Sequence, residues 1–134
     1  MKTGETATPI RDFTDLDAWR LSRELRQNVY VFARKFPAEE RHVLRSQICR
    51  AAISITANLA EGYGRYSYQE NTQFCRHSRP SAYEVRDHLT TALDQRYISD
   101  SEWKRADALA RRVIQVLNGY IRATQKRHKT TEQD

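Results

Sequence analysis

Apolar residues recur at intervals of three and four along most of this 134-residue chain, a spacing that places them on one face of an α-helix. Helix-ending and helix-starting residues divide the pattern into four segments. Pro37 ends the first, Gly62 and Gly64 end the second, and Ser-x-x-Glu capping boxes open the third and fourth. The pattern predicts helices at about residues 14–35, 39–62, 67–93 and 99–126.

The predicted helices are joined by short connections, and each is about 30 to 40 Å long. Short connections favour antiparallel neighbours, so the sequence predicts an all-α protein built as an antiparallel up-down-up-down four-helix bundle. Only four glycines and three prolines are present, which agrees with a helical class. We expect the bundle to span residues 12–127, between flexible tails at 1–11 and 128–134.

Pro80 lies inside the third predicted helix, within the stretch HSRPS. Proline removes a backbone donor and crowds the preceding turn of a helix. The sequence therefore predicts a kink or a break in helix three near Pro80.

The chain shows neither the apolar run of a signal peptide nor the roughly 18 to 20 apolar residues of a membrane span. We therefore expect a cytoplasmic protein without a membrane partner. Cys49 and Cys75 form neither a C-x-x-C pair nor a pattern typical of secreted scaffolds. They are predicted to be reduced thiols in or near the core.

No set of residues indicates catalysis or metal binding. A di-metal site in a bundle needs Glu-x-x-His motifs on two helices, whereas Glu84 and His88 are four apart and fit a surface ion pair better. No glycine-rich phosphate loop follows a strand, and no Ser-His-Asp or Cys-His arrangement can be defended from the sequence. We expect no enzyme activity, no metal, no cofactor and no small-molecule substrate.

A polar stripe runs beside the apolar face of helix two, in RAAISITANLAEGYGR. It is displaced by about 100° around the axis, so it borders the core. A buried Arg50 there would require a carboxylate partner such as Glu61 or Glu84. We interpret the stripe as a hydrogen-bonded seam that fixes helix register, with a solvent-exposed stripe as the alternative. The predicted polar seam comprises Gln47, Arg50, Ser54, Asn58, Glu61 and Glu84.

The chain is basic, with a formal net charge of +6 and an isoelectric point near 9.6. Lys104 and Arg105 on helix four are followed one heptad later by Arg111 and Arg112, and they are candidate contacts for nucleic acid. Alternatively, such cations complement helix dipoles and keep an oligomer soluble. The two interpretations stay open at this point.

The turn EGYGRYSY places Tyr63, Tyr66 and Tyr68 around Arg65. Aromatic rings and a guanidinium on a glycine-containing turn suit the stacking of RNA bases, which makes Arg65 a further candidate contact for nucleic acid. Tyrosine and arginine are equally typical of protein interfaces. We favour a subunit interface formed by the three tyrosines and Trp103 over base stacking.

Several stretches, spread over nearly the whole predicted bundle, carry a family resemblance. They are Trp19, Phe36-Pro37, the run QICRAAISITANLAEGYGRYS from Gln47 to Ser67, Tyr83-Glu84 followed by Leu89, and Arg96 to Ile98. Over residues 12 to 123 the chain resembles the four-helix-bundle family encoded in intervening sequences of bacterial 23S ribosomal RNA genes, often labelled ribosomal proteins. The resemblance implies a left-handed antiparallel bundle assembled as a ring of five subunits, without established enzymatic activity.

Helix three departs from the family pattern. Pro80-Ser81 stands where a Gly-Ser pair is usual, and His77 and Ser78 occupy places that are usually apolar or small. A related branch comprises accessory proteins of diversity-generating retroelements, which bind nucleic acid and a reverse transcriptase. Nothing in this chain places it in that branch.

Two hypotheses about function follow. The first is a non-catalytic homopentamer that binds RNA or a nucleic-acid-protein complex through a basic surface. Because no helix-turn-helix pair is evident, such binding is expected to tolerate sequence and to favour RNA or single-stranded nucleic acid. The second is a structural or interaction module that binds a protein partner, with its charge serving only solubility.

Overall fold

The protein folds into four α-helices, and the computed structural model describes residues 9–133, with side chains through residue 129. Short 3₁₀ turns at Phe13–Asp15 and Ala38–Glu40 precede the first two helices. No β-strand occurs in the described range. The helices are α1 (Asp17–Ala33), α2 (Leu44–Tyr63), α3 (Tyr68–Asp94) and α4 (Asp100–Gln133). The predicted all-α class is confirmed.

Each helix packs against its neighbours in sequence, and α4 closes the bundle against α1. Arg79 of α3 donates a hydrogen bond to Oδ1 of Asn118 in α4 at 2.9 Å. An ion pair between Lys35 and Glu102 joins the end of α1 to the start of α4. The topology is the predicted antiparallel up-down-up-down bundle.

The apolar faces of all four helices meet in one core along the bundle axis. Its largest members come from every helix and are completely excluded from solvent. They are Leu25, Val29, Ile48, Ile55, Leu59, Val85, Leu89, Val113 and Leu117. The spacing of three and four in the sequence is the direct cause of this arrangement.

Helix two begins at Leu44 and not near residue 39, where the sequence predicted its start. The carboxylate of Glu40, held in the preceding 3₁₀ turn, accepts a hydrogen bond from the backbone N–H of Leu44 at 3.3 Å. It also accepts one from the hydroxyl of Tyr97 at 2.9 Å, which raises the pKa of Tyr97. Glu40 therefore caps α2 from outside the helix.

Helix α3 runs without interruption through Pro80, so of the predicted kink or break the break does not occur, and the kink stays a prediction. Pro80 is exposed, which lets water satisfy the carbonyl that loses its helical partner. Two residues earlier, the buried Ser78 donates a hydrogen bond to the backbone oxygen of Ile55 in α2 at 2.9 Å. Packing against α2 on both sides of the proline, through Ser78 and the buried Ala82, holds α3 in one piece.

Helix α4 continues to Gln133, beyond its predicted end at residue 126 and through most of the segment predicted as a flexible tail, 128–134. No glycine or proline follows Gly119, and the Lys, Arg and Gln residues there favour helix. At the other end, residues 9–12 are exposed and non-helical. Residues 1–8 of the predicted N-terminal tail, and Asp134, lie outside the described residues.

The two cysteines are free thiols. Cys75 is buried in the core, and burial raises the pKa of its thiol to about 12. Cys49 is half-buried, and its pKa is raised by the same cause. Both thiols are therefore protonated at neutral pH, and Cys75 is the less reactive of the two. Among the described helices, none is long and apolar enough to cross a membrane.

Candidate nucleic-acid interface

The outer face of α4 carries four exposed basic residues, which are those that the sequence singled out. Lys104 and Arg105 lie one heptad before Arg111 and Arg112, so the two pairs occupy the same side of the helix, about 10 Å apart along its axis. We call these four residues the basic ridge. The cations Arg122, Lys126, Arg127 and Lys129 extend the basic character of α4 towards its C-terminus.

Asp107 is the single acidic residue between positions 103 and 129, and it does not face solvent. Its carboxylate accepts a hydrogen bond from Nε of Arg86 in α3 at 2.8 Å and one from Nε of Arg111 at 2.9 Å. Two guanidinium partners compensate for the cost of burying the charge. The Arg111 side chain remains 63% exposed and that of Asp107 only 5%, so Asp107 adds no exposed carboxylate to the basic ridge.

The turn between α2 and α3 exposes its aromatic residues to different degrees. Ser67 caps α3 by accepting a hydrogen bond from the N–H of Glu70 at 3.1 Å. Tyr66, just before this cap, is fully exposed, Tyr68 is 40% exposed and Tyr63 is half-buried.

Arg65, in the same turn, stacks over the ring of Phe74, with its guanidinium carbon 4.6 Å from the ring centroid. A guanidinium over an aromatic ring is held by cation–π attraction. Its Nη2 atom also lies 3.9 Å from the carboxylate of Glu61. The guanidinium of Arg65 is therefore positioned by the protein at the rim of the turn.

A cleft of about 880 Å³ opens beside this turn, at the end of the bundle where α2 and α4 finish. Its walls come from the segment before α1 and the first turn of α1, from the α2–α3 turn, and from α4. Tyr63, Arg65, Tyr66 and Tyr68 all line it. We call it the turn cleft.

Polar side chains from α3 and α4 meet in the wall of the turn cleft. Nδ2 of the buried Asn71 donates a hydrogen bond to the hydroxyl of Tyr120 at 3.1 Å. Burial raises the pKa of Tyr120, so its hydroxyl keeps its proton at neutral pH. Thr72 donates to Thr124 at 2.6 Å. These bonds fix α3 to α4 where the cleft forms.

The predicted polar seam divides into two groups along the α2–α3 contact. In the first, Arg50 donates to the side-chain oxygen of Gln47 at 3.0 and 3.1 Å and forms an ion pair with Glu84. Glu84 also contacts Nε2 of His88 at 3.0 Å. Arg50 is exposed and not buried as the seam hypothesis required, so this group is a bridge on the surface.

The second group of the seam consists of small hydrogen-bonded side chains. Ser81 of α3 donates to Oγ of Ser54 at 2.9 Å, and Asn58 donates to the same oxygen at 3.1 Å. Glu61 belongs to neither group, because it is exposed and pairs only with Arg65. Within the predicted seam, the bonds between α2 and α3 are therefore made by Arg50 and Ser54.

Trp103 does not share the location of the tyrosines with which it was grouped. It lies near the start of α4, packs partly buried against the core of its own chain, and donates a hydrogen bond to Thr90 at 3.4 Å. A subunit interface is not needed to explain its burial. The three tyrosines, by contrast, all line the turn cleft, whose residues from α4 lie between Val116 and Arg127.

Within residues 9–133 no group of three or more His, Cys, Asp or Glu side chains is arranged to hold a metal ion. The Glu84–His88 contact is part of the ion pair with Arg50 described above. The exposed positive charge of the basic ridge and the aromatic rim of the turn cleft are the features that suit binding of an anionic, aromatic polymer.

Two parts of the candidate site were missed from the sequence. The first is Asp107, which follows basic residues on α4 and therefore resembles one more exposed charge in the sequence. The buried Ala106 and Ala110 lie on the same side of the helix as Asp107, and this spacing could have indicated its burial. The contact between Asn71 and Tyr120 joins residues 49 positions apart. No local signal predicts it.

Comparison with known proteins places this geometry in context. The family model of the 23S rRNA-intervening sequence protein matches residues 14–119. The chain is also similar to a crystal structure of a protein of unknown function from the S23 ribosomal protein family of Bacteroides thetaiotaomicron. That match has a TM-score of 0.71 and 19% sequence identity, and it covers 78% of this chain and 97% of the other. A comparison with curated proteins gives no match.

Proposed function

Because the chain belongs to the 23S rRNA-intervening sequence protein family, we propose that it is a non-catalytic, homopentameric binding protein that contacts RNA through the basic ridge of α4. The observation that carries the proposal is the ridge itself, in which Lys104, Arg105 and Arg112 are exposed and form no ion pair among the described residues, while the carboxylate of Asp107 is buried and held by Arg86 and Arg111. Cations that face solvent without neutralising partners attract phosphates.

Helix-dipole complementation does not account for the ridge. Cations stabilise the C-terminal turn of a helix, and the effect fades within one turn. Lys104 and Arg105 lie in the second turn of α4, which begins at Asp100, so they are far from its C-terminal turn and gain no stabilisation from the dipole. Their position supports a role in binding over a role in helix stability.

A cytoplasmic location is part of the proposal. Cys49 and Cys75 are both free, and reduced thiols are typical of the cytoplasm. An RNA partner is available in the same compartment.

The binding proposal is tested by removing ridge charges that have no structural role. The ridge variant Lys104→Gln/Arg105→Gln/Arg112→Gln changes only exposed side chains that form no ion pair within the described part of the chain. It should weaken binding of a labelled single-stranded RNA by roughly 100-fold or more at about 50 mM salt, because three phosphate contacts are lost. Fluorescence anisotropy measures the dissociation constants.

The matched control removes the same charge from exposed arginines outside α4, in the variant Arg23→Gln/Arg34→Gln/Arg41→Gln. It should bind RNA like the wild type. Equal losses in both variants would show that only net charge matters. An unchanged ridge variant would favour the protein-partner hypothesis.

Exposed apolar side chains support the homopentamer. Tyr30, Val31, Ile53 and Tyr83 are each 40 to 51% exposed in a single chain. Burying apolar surface between subunits contributes about 25 cal/mol per Å². Native mass spectrometry at micromolar protein should therefore show a five-subunit species, and a spectrum with monomer alone would contradict the assembly.

A further inference from the structure

We infer that the turn cleft receives an unpaired base of a single-stranded RNA whose backbone follows the basic ridge. The inference rests on the proposed RNA binding. It adds that the ligand is single-stranded and names the residues that distinguish a single strand from a duplex. The cleft holds about 880 Å³, within the range of pockets that bind small organic groups.

Tyr66 offers an aromatic ring that has no partner among the described residues. Its side chain is fully exposed, and it forms no hydrogen bond or ring contact with the rest of the described structure. It nevertheless lies at the cleft, next to Arg65, whose guanidinium stacks on Phe74. Stacking against a nucleobase would cover a ring that is otherwise in water.

A second ring at the cleft is paired with a cation from α4. The guanidinium carbon of Arg127 lies 5.8 Å from the ring centroid of Tyr68, and both residues line the cleft. The lining of the cleft thus contains both aromatic rings and guanidinium groups, as expected for a site that takes a base and its phosphate together.

The wall of the cleft supplies hydrogen-bond donors for a base edge. The Tyr120 hydroxyl accepts from Asn71, and its own hydrogen has no acceptor among the described residues. One amide hydrogen of the buried Asn71 is likewise unused in the described structure. Both side chains line the cleft, and each can donate to an oxygen or ring nitrogen of a base.

The ridge leads towards the cleft along one side of α4. Arg105, Arg112 and Gly119 recur at intervals of seven, so they share one side of the helix, and Gly119 lines the cleft. Arg112 lies about 10 Å along the axis from Gly119. A strand whose phosphates contact Arg105 and Arg112 therefore reaches the cleft within a few nucleotides.

The test compares Tyr66→Ala with the wild type on a single-stranded RNA of about 16 nucleotides and on a duplex of the same length. Tyr66→Ala should weaken single-strand binding by roughly 5- to 150-fold, the value of one stacked base, and leave duplex binding unchanged. Tyr66→Phe keeps the ring and should restore single-strand binding. Val43→Ala, which shortens an exposed apolar side chain outside the cleft, should bind like the wild type.

The outcomes separate this inference from the proposed function. If the ridge variant weakens binding and Tyr66→Ala does not, the cleft is not a base site and the ridge proposal stands. If the wild type binds no RNA at about 50 mM salt, both this inference and the proposed function are wrong. If Tyr66→Ala weakens single-strand and duplex binding equally and dissociates the oligomer in native mass spectrometry, the cleft is a surface for a second copy of the chain, and the inference is overturned.

Discussion

The affinity of this protein for single-stranded RNA should fall by roughly 10³- to 10⁵-fold between about 50 and 200 mM salt. The physical reason is the release of counterions from each phosphate that a lysine or arginine neutralises. The basic ridge and its extension along α4 together provide eight cations, enough for the six to ten contacts that produce such a fall. They are Lys104, Arg105, Arg111, Arg112, Arg122, Lys126, Arg127 and Lys129. Anisotropy titrations across a salt series measure it.

A shallow salt dependence would contradict the ridge as the main source of affinity. Binding that survives about 200 mM salt unchanged would have to rest on stacking and hydrogen bonds alone. If no RNA binding is detected at the lowest salt concentration, the hypothesis of a protein partner is favoured instead. The same range of protein concentrations must be used at every salt concentration, since assembly changes with protein concentration.

Gly62→Ala should lower the free energy of unfolding by about 1 to 3 kcal/mol, although alanine is normally the better helix former. Gly62 is buried in α2 where α3 crosses closely after the turn. An added Cβ would lie 2.9 Å from Cβ of Phe74 and 3.1 Å from the backbone oxygen of Asn71. Neither atom can move without shifting α3, so the substitution strains the close contact between α2 and α3.

Gly119→Ala is the matched control for this prediction. An added Cβ at Gly119, inside α4, would come no closer than 3.8 Å to another group, the guanidinium of Arg122. Alanine there should stabilise the protein by about 0.5 to 1 kcal/mol through helix propensity. Thermal melts at equal protein concentration compare both variants with the wild type. A Gly62→Ala protein that melts at or above the wild-type temperature would refute the close approach.

The helical spacing of apolar residues was sufficient to predict the four helices and their antiparallel order. It failed where a distant residue decides the outcome. The start of α2 depends on Glu40, which is held by the hydroxyl of Tyr97, 57 positions away. At Pro80, where a kink or a break was predicted, α3 is unbroken, and the nearby Ser78 bonds to Ile55 of α2. Neither contact has a local signature.

The sequence predicted only those parts of the candidate site that depend on the helical spacing of apolar residues. Exposure of the basic ridge follows from its position opposite the apolar stripe of α4, which the sequence shows directly. The predicted burial of Arg50 was wrong because its long side chain reaches past the core border to pair with Glu84 on the surface. The turn cleft could not be predicted, since its walls come from three separate parts of the chain.

The slope of the logarithm of the RNA association constant against the logarithm of salt concentration tests the central claim most directly. Each lost phosphate contact on a single strand should reduce this slope by about 0.7. The ridge variant, with Lys104, Arg105 and Arg112 replaced by glutamine, should therefore be shallower than the wild type by about 2, while the variant at Arg23, Arg34 and Arg41 keeps the wild-type slope. Identical slopes for the ridge variant and the wild type would contradict RNA binding through α4.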